Sequence, residues 1–322
     1  MAKHVSVDQL DQAVQAMLAG TDSVPPPRGL ELDPLLRVAA DLRDLPQQNF
    51  KARLKADLER KAIMTTATAT YKPSTDFRTL TPYLIVKGAV QLLDFFGQAF
   101  GAVEKGRVPL PDGTLMHSEF QIGDSMMEMG DAGGKWAPMP AALHLYVPDA
   151  DATYQRAIEA GATPLYAPMD QPYGDREGGI ADPGGNSWYI ATHKATGLAP
   201  AGFSSVTVGL QVRGSGGMLD FLKQAFAAEE TLCERTPDGN ILHARLRIGD
   251  SVVELGEAHG AFGPKQCGIH MYVPDADAVY ERALAAGGKS VYPMTDQPYG
   301  ERSGGVEDAW GNQWYIATYT GR

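Results

Sequence analysis

The chain contains an internal duplication that runs without a gap. The segment DPGGNSWYIAT, which begins at Asp182, returns 126 residues later as DAWGNQWYIAT at Asp308. The same spacing relates His117 to His243 and Glu128 to Glu254. Self-similarity at a fixed offset indicates repeated structural units. Residues 79–195 and 205–320 are therefore predicted to be two domains of the same fold.

Each copy contains both the period-two pattern of strands and the helical spacing of apolar residues. In the first copy, period-two patterns predict strands over 81–86, 115–122 and 125–129, and helical spacing covers 90–100. A second half follows, with a strand over 142–147, a helix over 149–160 and strands near 164–167, 178–181 and 187–192. Each copy therefore reads as two β-α-β-β-β units. The chain is predicted to be an α+β protein with four such units.

Residues 1–62 lie before the duplication and are predicted to be a helical segment. Ser6 and Gln9 form a capping-box pattern, and Asp33-Pro34 is typical of a second helix start. Residues 63–78, which include a Thr/Ala run, are predicted to be a linker. A short helical extension of this kind is expected to pack on the rest of the chain, on a second copy or on a protein partner.

Composition excludes several classes of protein. The sequence has 28 Lys and Arg against 39 Asp and Glu, a net charge of −11, which argues against nucleic-acid binding. No apolar run is long enough for a membrane helix. The two cysteines, Cys233 and Cys267, cannot form a disulfide-rich scaffold. We expect a cytoplasmic protein whose partner is a small molecule.

Several motifs resemble those of a known superfamily. The run Leu143–Asp151 (LHLYVPDAD), the segment Tyr173–Arg176 (YGDR) and the turn that starts at Asp182 recur in the second copy with few changes, the first two as IHMYVPDAD and YGER. They resemble the vicinal-oxygen-chelate superfamily, which includes glyoxalase I, bleomycin-resistance proteins and extradiol dioxygenases, and within it the PhnB-like branch. The resemblance implies tandem glyoxalase-like domains, each with a cupped sheet that can hold a divalent metal. We expect one pocket per repeat.

The metal ligands of the superfamily are only partly present. The positions that the resemblance assigns to ligands fall on Thr81, Glu128, Ala142 and Tyr189 in the first copy and on Thr207, Glu254, Gly268 and Tyr315 in the second. Only the glutamate of each set is a good ligand. The cofactor is therefore expected to be either none or a divalent metal ion.

A displaced metal site is the alternative. Side chains two residues apart on a strand share a face, so His144 lies on the face of Ala142. His117, Glu128 and His144 could then form a set of two histidines and one carboxylate, which suits divalent iron and similar metals. His243, Glu254 and His270 repeat that set. The same residues could equally form a hydrogen-bonded polar pocket without metal.

Aromatic and basic residues of both copies are candidate ligand-binding groups. The tyrosines are Tyr146, Tyr173 and Tyr189 with their counterparts Tyr272, Tyr299 and Tyr315. Arg176 and Arg302, predicted to lie in loops, could clamp an anion. They could instead pair with Asp182 and Asp308 to hold a turn, and that structural role is the one we favour.

Two functions remain open from sequence. The first is a metal-independent small-molecule-binding protein related to the bleomycin-resistance proteins, and it is favoured because ligands are missing. The second is a metal-dependent lyase, isomerase or dioxygenase that uses the displaced His/Glu/His site. Whether the protein is an enzyme stays undecided at this point, and partner binding through the N-terminal helices is a third possibility.

Overall fold

The computed structural model describes residues 76–237, 239–260 and 262–320. The helical segment predicted for residues 1–62, and residues 63–75 of the predicted linker, lie outside the described residues. The described residues hold both copies of the duplicated domain, so the site and its surroundings can be built from them.

Sixteen strands and four helices occur in the described part of the chain. The strands are β1 (Leu80–Val86), β2 (Val103–Pro109), β3 (Leu115–Ile122), β4 (Ser125–Asp131), β5 (Ala142–Tyr146), β6 (Thr163–Asp170), β7 (Asp175–Ala181), β8 (Ser187–His193), β9 (Val206–Val212), β10 (Glu229–Arg235), β11 (Ile241–Ile248), β12 (Ser251–Glu257), β13 (Gly268–Tyr272), β14 (Lys289–Asp296), β15 (Glu301–Glu307) and β16 (Gln313–Tyr319). The helices are α1 (Ala89–Phe100), α2 (Ala150–Glu159), α3 (Ser215–Phe226) and α4 (Ala276–Ala285). The α+β class and the four β-α-β-β-β units are confirmed. None of these helices has the length and apolar character that a membrane crossing requires.

Two strand assignments differ from the sequence-based ones. The first unit is predicted to have four strands, but the sequence indicates no position for the one that the structure shows as β2. This strand lies at the edge of its sheet and is largely exposed, so it lacks an apolar alternation. Strand β7 begins at Asp175, three residues before the predicted start at Gly178. The residues 175–177 are therefore part of a sheet and not of a loop, and the same holds for 301–303 in β15.

The strands form two eight-stranded sheets, each of which combines both copies. Sheet I has the order β14-β15-β16-β13-β1-β4-β3-β2, and sheet II has the order β10-β11-β12-β9-β5-β8-β7-β6. Antiparallel pairing of β1 with β13, in which Thr81 faces His270, joins the first unit to the fourth. Pairing of β5 with β9 joins the second unit to the third. The expectation of one pocket per repeat is therefore wrong, because each sheet takes half of its strands from each repeat.

Strand alternation separates an apolar face from a polar one. On β3, Phe120 and Ile122 join the core, whereas His117 and Glu119 belong to the opposite face. The core is one continuous cluster that includes apolar residues of both sheets and all four helices. Contacts such as that of Phe96 on α1 with Trp188 on β8, at 5.3 Å between ring centroids, connect the two units of a repeat.

The turn before the last strand of each repeat is held by a buried aspartate. Asp182 accepts hydrogen bonds from the backbone and side-chain nitrogens of Asn186 and from the indole nitrogen of Trp188. Asp308 makes the same contacts with Asn312 and Trp314. Burial raises the pKa of both carboxyl groups. The turn that the sequence indicates at Asp182 is therefore present in both copies.

Candidate functional site

Five titratable residues gather on the face of sheet I opposite the core. They come from four strands of the two repeats and define site I: His117 and Glu119 on β3, Glu128 on β4, His270 on β13 and Glu301 on β15. The three carboxylates are at most 3% exposed. Buried carboxylates need partners that compensate for lost hydration, so the surroundings of this group decide what it can do.

His117, Glu119 and Glu128 have the composition and spacing of a metal-ligand set. His117 Nε2 is 3.8 Å from Glu119 Oε1 and 3.8 Å from Glu128 Oε1. Ligand-type atoms of the three residues all lie within 4.8 Å of one another. The Tyr83 hydroxyl is 3.3 Å from the other ring nitrogen of His117, Nδ1, and so can fix the orientation of the ring.

His270 connects the two halves of site I. Its Nδ1 donates a hydrogen bond of 2.8 Å to Glu128 Oε2. Its other nitrogen, Nε2, lies 3.5 Å from Glu301 Oε2, and these two buried atoms have no hydrogen-bond partner. Burial opposes the charged form of His270, but the nearby Glu128 and Glu301 carboxylates outweigh it and raise the pKa to about 10. Site I therefore holds polar atoms whose bonding is incomplete.

Tyr272 supports this arrangement from the same strand as His270. Its hydroxyl donates a 2.8 Å hydrogen bond to Glu301 Oε1, and its ring stacks on the His270 ring at 4.3 Å. Burial, together with the Glu128 and Glu301 charges, raises the pKa of Tyr272 far above its usual range, so it remains a donor. Tyr272 thus fixes one oxygen of Glu301 and leaves the other open.

Site II is the counterpart of site I on sheet II. At the same spacing of 126 residues it contains His243, Arg245, Glu254, His144 and Asp175. His144 Nδ1 donates to Glu254 Oε2 at 2.8 Å, as His270 does to Glu128. A sixth residue, Glu177, lies in site II where sheet I has Ser303.

The polar groups of site II make more contacts with one another than those of site I. Glu177 Oε1 accepts hydrogen bonds from Tyr166 and Tyr173. His144 Nε2 is 3.2 Å from Glu177 Oε2 but, like His270 Nε2, has no hydrogen-bond partner, and ligand-type atoms of His144, Asp175 and Glu177 also lie within 4.8 Å of one another. Asp175 accepts from the Tyr146 hydroxyl at 3.0 Å and from His193 Nδ1 at 2.6 Å. Although burial opposes it, the Glu254 and Glu177 charges raise the pKa of His144 to about 10.

Besides the exchange of Glu301 for Asp175, three substitutions distinguish the two sites. Arg245 replaces Glu119, Gly209 replaces Tyr83, and Glu177 replaces Ser303. Arg245 Nε donates to His243 Nε2 at 3.2 Å and lies 3.8 Å from Glu254 Oε1, and its guanidinium group lies 4.9 Å from the centre of the Phe203 ring. Burial is the main cause of the lowered pKa of His243. One site thus has an anion where the other has a cation.

The displaced metal-ligand set predicted within one repeat is wrong, because its residues do not all lie in one site. His117 and Glu128 join His270 of the second repeat, and His144 lies with Glu254 and His243 instead. The reason is the pairing of β1 with β13 and of β5 with β9, which carries the second unit of each repeat into the other sheet. All six predicted residues nevertheless belong to the two sites.

The candidate tyrosines fall into three pairs. Tyr146 and Tyr272 stack on His144 and His270 and donate to carboxylates. The hydroxyl of Tyr189 accepts a hydrogen bond from Gln211, and that of Tyr315 donates to Gln313. In the third pair, Tyr173 is 53% exposed and bonds to Glu177, whereas its counterpart Tyr299 is partly buried. Ligand binding by these six residues stays a prediction.

The two candidate arginines do not face the sites. Arg176 follows Asp175 on β7, so alternation turns it to the helix side, where it pairs with Asp151 of α2 and with Asp170. Arg302 pairs in the same way with Asp277 and Asp296. The predicted partners Asp182 and Asp308 are wrong, because those carboxylates are buried in the turns described above. Because Arg176 and Arg302 point to the helix side of the sheets, they are not placed to clamp a ligand in site I or site II.

Sequence reasoning missed five of the eleven titratable residues that form the two sites. Glu119 follows His117 by two residues, so strand alternation could have identified it. Arg245 could have been found as its counterpart in the second repeat. Asp175, Glu177 and Glu301 were missed because the strands that carry them were predicted to begin later, which placed them in loops.

Comparison with known families agrees with this architecture. The model of the Glyoxalase/Bleomycin resistance protein/Dioxygenase superfamily matches residues 79–190 and again residues 205–316. The chain belongs to this superfamily. An uncharacterized protein of Mycobacterium bovis is 43% identical over 122 residues, which is 34% of this chain and 80% of that protein. An uncharacterized protein of Mycobacterium tuberculosis is also 43% identical over 122 residues, 34% of this chain and 72% of that protein.

Solved structures of the superfamily share the fold. Glyoxalase I from Zea mays superposes with a TM-score of 0.58 at 16% identity and covers 76% of this chain and 92% of its own. A putative dioxygenase from Bacillus subtilis has a TM-score of 0.51 at 16% identity, over 74% of this chain and 84% of its own. At this level of identity the similarity extends to the fold alone.

Proposed function

We propose that site I is a divalent metal centre and that the protein is a metal-dependent enzyme that acts on a small oxygen-containing substrate. The observation that carries this proposal is the presence of Glu119 at the position that Arg245 occupies in site II. The exchange changes the local charge by two units. A divalent cation is what would offset that change.

The charges around site I support a cation there. Among the described residues, the only charged partners of Glu128 and Glu301 are histidines. Glu119 lies beside them and is 3% exposed. Carboxylates that are buried this close together are costly to keep ionised unless a cation neutralises them.

The residues of site I fit a transition metal. His117 Nε2 and the carboxylates of Glu119 and Glu128 offer one imidazole and two oxygen ligands, a set that suits manganese, iron, cobalt, nickel or zinc. If His117 Nδ1 donates its proton to Tyr83, Nε2 keeps a lone pair for the metal. The open Nε2 of His270 and Oε2 of Glu301 show that this region of the site has unused bonding capacity.

The remaining groups of site I suit proton-transfer chemistry. A bound metal would act as a Lewis acid that polarises a substrate oxygen. The His270 Nδ1–H group holds Glu128 Oε2 in place, which leaves Glu128 Oε1 toward His117. Tyr272 fixes Glu301 Oε1, so Glu301 Oε2 is free to accept a proton from substrate. Such a set favours an isomerase or lyase reaction within the wider range of the superfamily.

Metal-independent binding, the function that the sequence favoured, retains support at site II. Its main argument was the absence of ligands at the positions that the resemblance assigns, and at site I that argument is weakened because Glu119 and His117 lie beside Glu128. At site II the carboxylates already have histidine and tyrosine partners. The assignment to the PhnB-like branch, the cytoplasmic location and a partner for the N-terminal helices stay predictions.

Metal content of matched variants tests the proposal. The full chain is loaded separately with manganese, iron(II), cobalt, nickel or zinc, freed of loose ions by gel filtration and analysed by mass spectrometry. We expect one retained ion per chain, which Glu119→Gln removes and Arg245→Gln, the same change at the matched position, does not. Retention of no metal, or equal retention by the two variants, contradicts a metal centre at site I.

A further inference from the structure

The second site differs from the first by more than the loss of a carboxylate. Glu254 on β12 lies in register with Arg245 on one side and with Gly209 on the other. In site I the corresponding row contains Glu119, Glu128 and Tyr83. The two exchanges therefore occur side by side, and they add a positive charge and remove an aromatic ring at one place.

The ring that site II lacks has a defined place in site I. The Tyr83 ring lies 5.3 Å from the Tyr315 ring and 5.8 Å from the His117 ring, and its hydroxyl approaches His117 Nδ1. The counterparts of these two neighbours, Tyr189 and His243, are both present in site II. The ring that separates them in site I has no equivalent, because position 209 is glycine.

The backbone at Gly209 has room for the start of a side chain. The three atoms nearest to a Cβ atom built there all belong to Ala142 of the adjacent strand, at 3.5 to 3.8 Å, which is ordinary van der Waals contact. Gly209 has no positive φ, so backbone conformation does not explain the glycine. Aromatic rings border this part of the sheet, since Phe262 lies 6.1 Å from Tyr189 and 6.2 Å from Tyr166.

Arg245 supplies a cation at the edge of this space. Among the described residues its contacts are those of Nε with His243 and Glu254 and the stacking of its guanidinium group on Phe203. The two terminal nitrogens are therefore available to a ligand. A guanidinium group offers them as a fork that matches a carboxylate in geometry as well as charge.

The carboxylates of site II leave the two terminal nitrogens of this cation unpaired. Glu254 and Glu177 lie on either side of His144, which balances part of their charge, and Asp175 is paired with His193. The Tyr146, Tyr166 and Tyr173 hydroxyls donate to Asp175 and Glu177. The remaining oxygen, Glu254 Oε1, reaches only the Nε atom of Arg245, at 3.8 Å.

We propose that site II binds a small aromatic carboxylate, with its ring in the place left by Gly209 and its carboxylate on Arg245. The ligand would substitute for the Tyr83 ring of site I, between Tyr189 and His243. This site does not depend on the metal proposed for site I, because Arg245 and Gly209 lie on sheet II and the ligands His117, Glu119 and Glu128 lie on sheet I.

Isothermal titration of the full chain with benzoate tests this site, and benzyl alcohol serves as the neutral control. We expect saturable binding of one benzoate per chain and much weaker binding of the alcohol. Arg245→Gln is expected to weaken benzoate binding by about tenfold to a hundredfold, since a charge-assisted pair is lost. Glu119→Gln, at the matched position of site I, should leave it unchanged.

Variants of Gly209 provide a second test of benzoate binding at site II. Gly209→Tyr restores the ring that site I has and should abolish benzoate binding without changing metal content at site I. Gly209→Ala adds only a methyl group in ordinary contact, so a folded variant that still binds benzoate shows that the position itself tolerates substitution. No saturable binding of benzoate at millimolar concentration, or binding that is equal in the parent, Arg245→Gln and Gly209→Tyr proteins, would overturn the proposal.

Discussion

Reversal of the charge at position 119 should remove the metal from site I. In Glu119→Arg, a cation takes the place of a carboxylate whose Oε1 atom lies 3.8 Å from His117 Nε2. Any ion held by that nitrogen is therefore within about 4 Å of the substituted charge. The same residue type occurs naturally at the matched position of site II, so the fold accommodates it.

The expected effect is large. Two unit charges at 4 Å interact by about 4 kcal/mol at the effective dielectric of a protein site. A divalent ion interacts with a unit charge twice as strongly, by about 8 kcal/mol. The substitution replaces an attraction of that size with a repulsion of that size, so the ion is destabilised by roughly 16 kcal/mol in the simplest Coulomb sum. The new guanidinium can turn away, as Arg245 does toward Phe203. Even a quarter of that sum, about 4 kcal/mol, corresponds to a loss of affinity of nearly a thousandfold.

The reciprocal variant makes the test symmetric. Arg245→Glu gives site II the carboxylate of site I beside His243 and Glu254, so the number of retained ions should rise from one to two. The second ion should bind more weakly, because Gly209 leaves His243 without the hydroxyl that orients His117. The double variant should again retain one ion. Metal analysis after gel filtration gives the number of ions per chain, and titration calorimetry gives their affinity. Retention of a full ion per chain by Glu119→Arg, with unchanged affinity, would refute the charge argument.

Three further predictions concern groups around the sites. His270→Gln should weaken metal binding by about tenfold to a hundredfold in calorimetry, because Glu128 loses the donor that positions it, whereas the matched His144→Gln should not. Asp182→Ala should lower the free energy of unfolding in urea by about 3 kcal/mol, because it leaves the Trp188 and Asn186 donors buried without an acceptor, and a loss as small as that of the exposed Asp151→Ala would contradict this role. Arg176→Ala should change neither metal content nor benzoate affinity, since its side chain lies on the helix side, and a change in either would show that it reaches a site.

The units of the fold could be predicted from sequence, but their pairing could not. The repeated turn at Asp182 and Asp308 and the alternation of each strand are local signals, and local signals define elements. Which unit completes a sheet depends on the contact of β1 with β13 across nearly the whole duplicated region. Pairing within a repeat and pairing between repeats would show the same local patterns, so the sequence alone favoured neither.

The site was predictable to the extent that it follows strand alternation. His117, Glu128 and His270 lie on strands whose limits were estimated well, and all three reach the same face. Glu301 and Asp175 begin strands that are preceded by proline- and glycine-rich turns, and such turns obscure where a strand starts. An error of three residues at one strand end therefore hid the carboxylates that β7 and β15 contribute to the sites.

The distribution of differences between the repeats follows from this exchange of halves. Residues that hold the scaffold, such as the Asp182 and Asp308 turns, are the same in both copies, because both sheets need them. Each repeat contributes some residues to site I and others to site II. A difference between the repeats, such as Glu119 against Arg245, therefore alters one site and leaves the other intact. Two identical single-repeat chains that paired in this way would have two identical sites by symmetry. A covalent duplication removes that constraint, and it is what allows one fold to place a carboxylate, Glu119, on one sheet and a guanidinium group, Arg245, at the matched position of the other.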